Sequence, residues 1–269
     1  MISLRTVFFL LFSSITCFAA KIDTVETYSV SMKKVIKAAI ITPDTYSGGK
    51  AFPVVYLLHG YSGNYQNWAG EKGTASAADQ YQTIIVCPDG GFSSWYYDSP
   101  LDPTSKYETY VSNELVTWVD GHYKTIKNRK GRAITGLSMG GHGALYLAFR
   151  HQDVFGAAGS MSGGVDIRPF PNNWDISKRL GTYAKNPENW EQNTVINMLY
   201  LLTPDSLALI IDCGTEDFFF GVNQTLHEKL MERNIPHDFI ARPGRHDWPY
   251  WNNALPYQLL FMRNYFDRK

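Results

Sequence analysis

The chain has 269 residues, of which 44% are hydrophobic and 19% charged, and this ordinary globular composition excludes wholesale disorder. Its 25 Lys and Arg residues balance 25 Asp and Glu residues, so the formal net charge is zero. A nucleic-acid-binding protein normally carries an excess of basic residues to neutralise phosphates, and the sequence shows none. We therefore expect no nucleic-acid partner.

The first twenty residues have the pattern of a secretory signal peptide. A basic start with Arg5 precedes an unbroken apolar run at residues 7–12, and small residues allow cleavage after Ala19 or Ala20. The apolar run is too short to span a bilayer, so no transmembrane anchor is expected. The sequence thus predicts a signal peptide at residues 1–20 and a periplasmic or secreted protein.

The remaining residues, 21–269, show no repeat or charged linker and are predicted to form one domain. Two alternatives for the start of the chain stay open: a buried N-terminal strand, and a lipid anchor on Cys17. Only Cys87 and Cys213 would remain after cleavage, and both end apolar runs. We expect them to be small buried side chains rather than metal ligands or disulfide partners.

The order of the predicted elements indicates an α/β fold. Residues 25–42 alternate in polarity and predict antiparallel strands. Apolar runs then alternate with segments of helical periodicity; the runs are 54–58, 84–87, 133–135, 207–212 and 239–241, and the helical segments 108–123, 141–150, 222–234 and 254–266. This alternation predicts a mainly parallel sheet with helices on both faces, whose ligands bind at the carboxyl ends of the strands. Residues 163–204 break the pattern and are interpreted as an insertion over the site.

A candidate nucleophile lies between a predicted strand and a predicted helix. Gly136-Leu-Ser138-Met-Gly140 has the Gly-x-Ser-x-Gly pattern, in which a sharp turn projects the serine hydroxyl and leaves room only for glycine two positions away on either side. The following helix directs its positive end toward the same point. The dinucleotide-binding alternative fails because Gly-x-Gly-x-x-Gly is absent in the required register.

An earlier strand end supplies a candidate oxyanion hole. The predicted strand 54–58 is followed by His59-Gly60-Tyr61. In hydrolases with this nucleophile turn, one backbone N–H comes from such a loop and the other from the residue after the serine. We assign these two donors to Tyr61 and Met139.

Two later strand ends supply a candidate acid and base. Asp217 follows the run 207–212, and His246 follows the run 239–241, which gives the chain order Ser, Asp, His. Asp212 and Glu216 are weighed as rivals for the acid, but the first lies within the strand and the second one residue early. Among the histidines, four are expected at surfaces or helix ends and two in packing positions near the site, namely His122, His151, His227, His237, His59 and His142.

The motifs together resemble the esterase D-like "putative esterase" family of α/β-hydrolases. The resemblance covers roughly residues 25–267 and rests on four segments: Gly136-Leu-Ser-Met-Gly-Gly-His-Gly-Ala144, Asp212-Cys-Gly-Thr-Glu-Asp217, Gly244-Arg-His-Asp-Trp-Pro-Tyr-Trp251, and Cys87-Pro-Asp-Gly90 with Ser94-Trp-Tyr-Tyr-Asp98. The family includes S-formylglutathione hydrolases, tributyrin esterases, enterochelin esterases, mycolyltransferases, and the feruloyl and acetylxylan esterases of carbohydrate esterase family 1. The loop after Gly60 is unlike that of formylglutathione hydrolases.

The resemblance implies an α/β-hydrolase fold with a catalytic triad of Ser138, Asp217 and His246. It further implies that Trp95, Tyr96 and Trp248 line the substrate site, although these aromatic residues are equally compatible with a core position. No metal or organic cofactor is needed for such chemistry.

The expected activity is that of an exported serine esterase that removes feruloyl or acetyl groups from plant polysaccharide, or that cleaves short-chain acyl esters. The expected partner is therefore a small or glycan-linked ester. Two alternatives stay open: an acyltransferase of the mycolyltransferase type on the same triad, and a non-catalytic glycan-binding protein of the same fold.

Overall fold

The computed structural model describes residues 19–47 and 49–268, and these form an eight-stranded sheet. Its strands are β1 (Lys21–Ser29), β2 (Lys34–Thr42), β3 (Val54–Leu58), β4 (Ile84–Pro88), β5 (Arg132–Gly136), β6 (Ala157–Met161), β7 (Ala208–Gly214) and β8 (Asp238–Arg242). The spatial order is β1-β2-β4-β3-β5-β6-β7-β8. Strand β2 is antiparallel to both of its neighbours, β1 and β4, and the six strands β3 to β8 are parallel to one another. The predicted fold class, a mainly parallel sheet with an N-terminal antiparallel pair, is confirmed.

Helices connect the strands. They are α1 (Gln66–Gly70), α2 (Lys72–Tyr81), α3 (Tyr107–Thr109), α4 (Leu115–His122), α5 (Met139–Arg150), α6 (Ile176–Leu180), α7 (Pro187–Gln192), α8 (Phe220–Glu232) and α9 (Trp248–Phe266). A π-helical turn, Tyr110–Glu114, joins α3 to α4. Within the described ranges, no helix has both the length and the apolar character needed to cross a membrane. Residues 1–18 of the predicted signal peptide lie outside the described part of the chain.

The parallel strands are covered on both faces, which explains their continuous apolar sequences. In β3, Val54, Tyr56 and Leu58 belong to the larger core, which also takes side chains from α4, α5 and α8. Val55 and Leu57 point to the opposite face, where they pack with side chains from α1, α2 and α9. The sheet is therefore buried between two helical layers, as in other α/β proteins.

Parallel pairing brings several loops to one edge of the sheet. β3 and β5 are neighbours, with Leu58 opposite Gly136, so the loops that follow these strands start side by side. β7 and β8 are also neighbours, with Gly214 opposite Arg242. The residues after all four strands thus meet at the carboxyl edge, where ligands of such sheets bind.

Strand β6 and helix α2 are among the elements that the sequence does not predict. Strand β6 is composed of Ala157-Ala-Gly-Ser-Met161, which lacks the β-branched and aromatic residues typical of strands. Helix α2 is rich in Gly, Ala, Ser and Thr, and its buried side chains are small except for that of Tyr81. Residues 163–204, interpreted as an insertion, contain α6 and α7 and bury many of their apolar side chains in the larger core.

A buried carboxylate joins α3 to α5, the helix that begins at the candidate nucleophile. Glu108 accepts hydrogen bonds from Tyr146 (2.8 Å) and Arg150 (2.7 Å), and it contacts His151 Nε2 at 2.9 Å. Burial alone would raise the pKa of Glu108, but the hydrogen bonds from His151, Arg150 and Tyr146 together outweigh it and lower the pKa to about 2. The ionised carboxylate thus stabilises the folded state.

Replacing Glu108 with Gln is expected to reduce the free energy of unfolding by roughly 2–3 kcal/mol at pH 7. Because the folded pKa is depressed, the stabilisation is complete above the unfolded pKa of 4.5 and is lost as the pH falls toward 2. Urea unfolding of wild type and variant at pH 7 and at pH 3 measures this difference in the free energy of unfolding at each pH. Glu228→Gln, at an exposed position of α8, is a control with the same change of charge. A wild-type advantage that does not shrink at pH 3 would contradict this assignment.

Candidate active site

Ser138 occupies a strained turn between β5 and α5. Its backbone has φ 55° and ψ −117°, a conformation that costs a non-glycine residue about 1–3 kcal/mol. A Cβ on Gly140 would lie 2.5 Å from the Leu58 carbonyl oxygen, and one on Gly136 would lie 2.6 Å from that of Gly140. Both flanking positions therefore accept only glycine, and the tight turn sets the Ser138 hydroxyl at the carboxyl edge of the sheet.

The structure brings the side chains of Ser138, His246 and Asp217 together. His246 Nε2 lies 2.9 Å from Ser138 Oγ, and His246 Nδ1 lies 2.8 Å from Asp217 Oδ2. The other oxygen, Oδ1, accepts the Phe219 backbone N–H at 2.8 Å. Because the carboxylate accepts from Nδ1–H, Nε2 is left as the acceptor for the serine hydroxyl.

Pairing of β7 with β8 explains how two loops deliver the acid and the base. After the strands end, Glu216 N–H still donates to the Gly244 carbonyl at 3.0 Å, which keeps the loops in contact. The Asp247 side chain then caps α9 by accepting the Tyr250 N–H at 3.1 Å. His246 is thus fixed between a loop contact and a capped helix.

The rival acids have other partners. Buried Asp212 forms an ion pair with Arg242 and accepts a hydrogen bond from Tyr250; burial raises the pKa of Asp212, and these contacts oppose the rise. Exposed Glu216 pairs with Arg245 at 3.0 Å. Both carboxylates therefore pair with arginines in the described structure, and neither forms a hydrogen bond with His246.

Two backbone N–H groups beside Ser138 are free to bind an oxyanion. Within the described residues, neither the Tyr61 N–H nor the Met139 N–H donates to a protein acceptor. Gly60 lies against the serine, since a Cβ there would be 3.4 Å from Ser138 Cβ. Met139 begins α5, so its N–H is one of the unpaired donors at a helix start. This arrangement can stabilise negative charge on a substrate oxygen.

Ser138 lines a cavity of about 400 Å³ whose walls are largely aromatic. Five aromatic residues line it with His246: Tyr61, Trp174, Phe218, Trp248 and Trp251. Phe218 is 53% exposed, and its ring lies over His246 with a centroid distance of 4.2 Å and stacks on Trp174 at 5.6 Å. The cavity is therefore suited to a flat apolar group close to the serine.

Of the three aromatic residues expected to bind substrate, one lines the cavity and two are buried in the core. Trp248 lines the cavity, whereas Trp95 and Tyr96 are 1% and 0% exposed and belong to the core. Both buried residues support the site from behind. Trp95 Nε1–H donates to the Trp174 carbonyl at 3.1 Å, and Tyr96 OH donates to the His59 carbonyl at 3.1 Å.

The sequence analysis did not assign three aromatic residues of the cavity wall to the site: Trp174, Phe218 and Trp251. Trp251 ends one of the four family segments, so that segment was its available signal. Phe218 directly follows Asp217, so its position beside the candidate acid was the available signal. Trp174 lies in the irregular segment 163–204, where no pattern marks it. No group of three or more His, Cys, Asp or Glu side chains in the described part of the chain is arranged to hold a metal ion.

Comparison with known proteins gives a family match and several relatives. A family model described as "Putative esterase" matches residues 29–262. "Esterase Rv1288" of Mycobacterium tuberculosis (strain ATCC 25618 / H37Rv) is 34% identical over 236 residues, covering 77% of this chain and 51% of that protein. This chain thus spans about half the length of that relative. "Diacylglycerol acyltransferase/mycolyltransferase Ag85B" of Mycobacterium leprae (strain TN) is 30% identical over 249 residues, covering 78% of this chain and 75% of that protein.

A solved structure described as a ferulic acid esterase is similar along almost the whole chain. It is 29% identical, has a TM-score of 0.79, and the match covers 93% of this chain and 99% of that one.

Proposed function

The chain belongs to the "Putative esterase" family. We propose that it is an exported serine hydrolase that cleaves carboxylic esters through an acyl-enzyme. The observation that carries the proposal is the hydrogen-bonded series Ser138, His246 and Asp217, with 2.9 and 2.8 Å contacts, at the wall of an open cavity. This arrangement supports the proposal that Ser138 is the nucleophile, His246 its base and Asp217 the acid that orients the base.

In the proposed mechanism, Ser138 Oγ attacks the ester carbonyl while His246 Nε2 takes its proton. Asp217 holds the imidazole in the required tautomer and stabilises the positive charge that develops on it. The N–H groups of Tyr61 and Met139 bind the oxyanion of the tetrahedral intermediate. His246 then protonates the leaving alcohol, and water, activated by the same imidazole, releases the acid from the acyl-enzyme.

For the substrate we favour a feruloyl ester linked to plant polysaccharide, with acetyl and other short-chain esters as the simpler members of the class. The aromatic cavity walls and the 29% identity to a ferulic acid esterase support an aromatic acyl group. An exported enzyme would meet such polymers outside the cytoplasm.

Export rests on the pattern of residues 1–20. In the described structure β1 begins at Lys21, and Ala20 N–H donates to Asp79 Oδ2 at 2.9 Å. Cleavage after Ala19 would turn this N–H into a charged amino group beside a carboxylate, which is a favourable pair. Mass spectrometry of the N-terminus after expression in a secreting host tests cleavage, and an intact Met1 in the extracellular fraction would contradict it.

A second candidate function is acyl transfer, favoured by the 30% identity to a mycolyltransferase. Both activities share the acyl-enzyme and differ in whether an alcohol or water accepts the acyl group. Product analysis with an added alcohol separates them, because transfer yields a new ester in place of the free acid.

The test of the proposed function is hydrolysis of p-nitrophenyl acetate and methyl ferulate by the purified protein, together with labelling by a fluorophosphonate. We expect hydrolysis of both esters and one label per chain on the peptide that contains Ser138. Absence of both hydrolysis and labelling would sink the serine-hydrolase proposal and favour a glycan-binding role.

Trp174→Ala is expected to lower kcat/KM for methyl ferulate by roughly 3–10-fold, because an aromatic contact contributes about 0.5–1.5 kcal/mol. Methyl acetate, followed by pH-stat titration, has the same leaving group and is expected to be hydrolysed at the wild-type rate. Tyr200→Ala, an exposed aromatic outside the cavity lining, is the matched control. An equal loss on both substrates would contradict a role for Trp174 in acyl selection.

A further inference from the structure

His59 directly follows β3 and has both ring nitrogens on backbone groups. The side chain is buried, with 1% of the residue exposed. His59 Nδ1 lies 2.7 Å from the Gly60 carbonyl oxygen, and the Gly90 N–H donates to His59 Nε2 at 2.7 Å. The ring therefore joins the loop after β3 to the loop after β4.

These contacts determine the tautomer of the ring. A backbone N–H can only donate, so Nε2 must accept from Gly90, and Nδ1 must carry the hydrogen that it donates to Gly60. Burial lowers the pKa of His59, while the Gly60 contact and Asp89, 3.9 Å from Nε2, act in the opposite direction. The neutral imidazole with its hydrogen on Nδ1 is the form that satisfies both neighbours.

The Gly60 carbonyl belongs to the same peptide group as the Tyr61 N–H. A peptide group is planar, and no cis peptide occurs in the described chain, so the carbonyl and this N–H point in opposite directions. Fixing the carbonyl therefore fixes the direction of the donor. The Gly63 N–H also donates to this carbonyl, at 3.1 Å, but His59 supplies the shorter contact.

From this geometry we propose that His59 is a positioning residue for the reaction. Its Nδ1–H holds the Gly60–Tyr61 peptide so that the Tyr61 N–H is directed toward the oxyanion that forms beside Ser138. The inference rests on the proposed serine-hydrolase function, in which Tyr61 is an oxyanion donor. His59 would thus transfer no proton itself and would influence the reaction rate only by orienting the Gly60–Tyr61 peptide group.

Two substitutions separate positioning from packing. In His59→Asn the amide nitrogen takes approximately the place of Nδ1 and keeps a donor to Gly60. In His59→Gln the terminal oxygen takes approximately the place of Nε2 and keeps an acceptor for Gly90. Each variant loses one buried backbone contact, so urea unfolding should show similar losses of stability.

We expect His59→Gln to lower kcat on p-nitrophenyl acetate by roughly 10–100-fold with little change in KM, since a poorly aimed oxyanion donor weakens transition-state binding. His59→Asn should stay within about fivefold of the wild-type kcat. Inhibition by phenylboronic acid, whose tetrahedral adduct places an oxygen in the oxyanion site, should weaken by a similar factor in His59→Gln alone.

Equal losses of kcat in the two variants would overturn the proposal. So would losses of kcat that are fully explained by the fraction of each variant that is unfolded under the assay conditions. If His59→Gln does not fold, His59→Asn still decides, because a loss above tenfold in that variant contradicts positioning through Gly60. Wild-type hydrolysis and fluorophosphonate labelling are measured first, so an inactive wild type is recognised as failure of the proposed function rather than of the role of His59.

Discussion

Ser138→Ala is expected to abolish ester hydrolysis, with kcat falling roughly 10⁴–10⁶-fold and the fold retained. The variant removes only the hydroxyl that lies 2.9 Å from His246 Nε2. The residual rate would come from the oxyanion donors and from substrate binding. Hydrolysis of p-nitrophenyl acetate and fluorophosphonate labelling are the measurements.

Ser76→Ala, on the exposed side of α2, is the matched control and should leave both readouts unchanged. Retention of more than about one hundredth of the wild-type kcat by a pure preparation of Ser138→Ala would mean that another group is the nucleophile.

Asp217→Asn is expected to lower kcat roughly 10⁴-fold through the tautomer of His246. The asparagine oxygen can still accept the Phe219 N–H, so its NH₂ group then faces His246 Nδ1. A donor at that point makes Nδ1 an acceptor and moves the ring hydrogen to Nε2. The imidazole can then no longer accept the proton of Ser138.

The neighbouring Glu216→Gln variant has the same charge change and serves as the control, because Glu216 is exposed and pairs with Arg245. Its kcat should remain within about twofold of the wild type, since surface ion pairs contribute little. Wild-type activity in Asp217→Asn would show that the His246 tautomer does not depend on this carboxylate.

The family and the α/β-hydrolase fold predicted from the sequence are confirmed. Both could be predicted because they rest on signals that are local in the sequence. The spacing of Gly136 and Gly140 around Ser138 reflects contacts with main-chain atoms, which no other residue tolerates. Apolar runs buried on both faces likewise mark parallel strands directly. The chain order Ser, Asp, His also indicates that these three side chains meet, and in the structure His246 contacts both Ser138 and Asp217. Their catalytic roles stay a prediction.

What the sequence did not reveal depends on tertiary context. Strand β6 forms because it is paired between β5 and β7, not because Ala, Gly and Ser favour strands. The division between Trp95 and Trp174 is also tertiary: the first is buried in the core and supports the second, which lines the cavity. Two tryptophans in irregular segments cannot be told apart by composition.

The order in which the chain supplies the site has a consequence for folding. Ser138 and His246 are 108 positions apart, and His246 lies between β8, at one edge of the sheet, and α9, the last helix. The nucleophile turn is held by β3 and β6, because the Leu137 and Ser138 N–H groups donate to the Leu58 and Met161 carbonyls, but its base arrives only when the final strand and helix have docked. On the proposed mechanism, recovery of ester hydrolysis during refolding therefore reports the last long-range step, whereas recovery of helical signal precedes it.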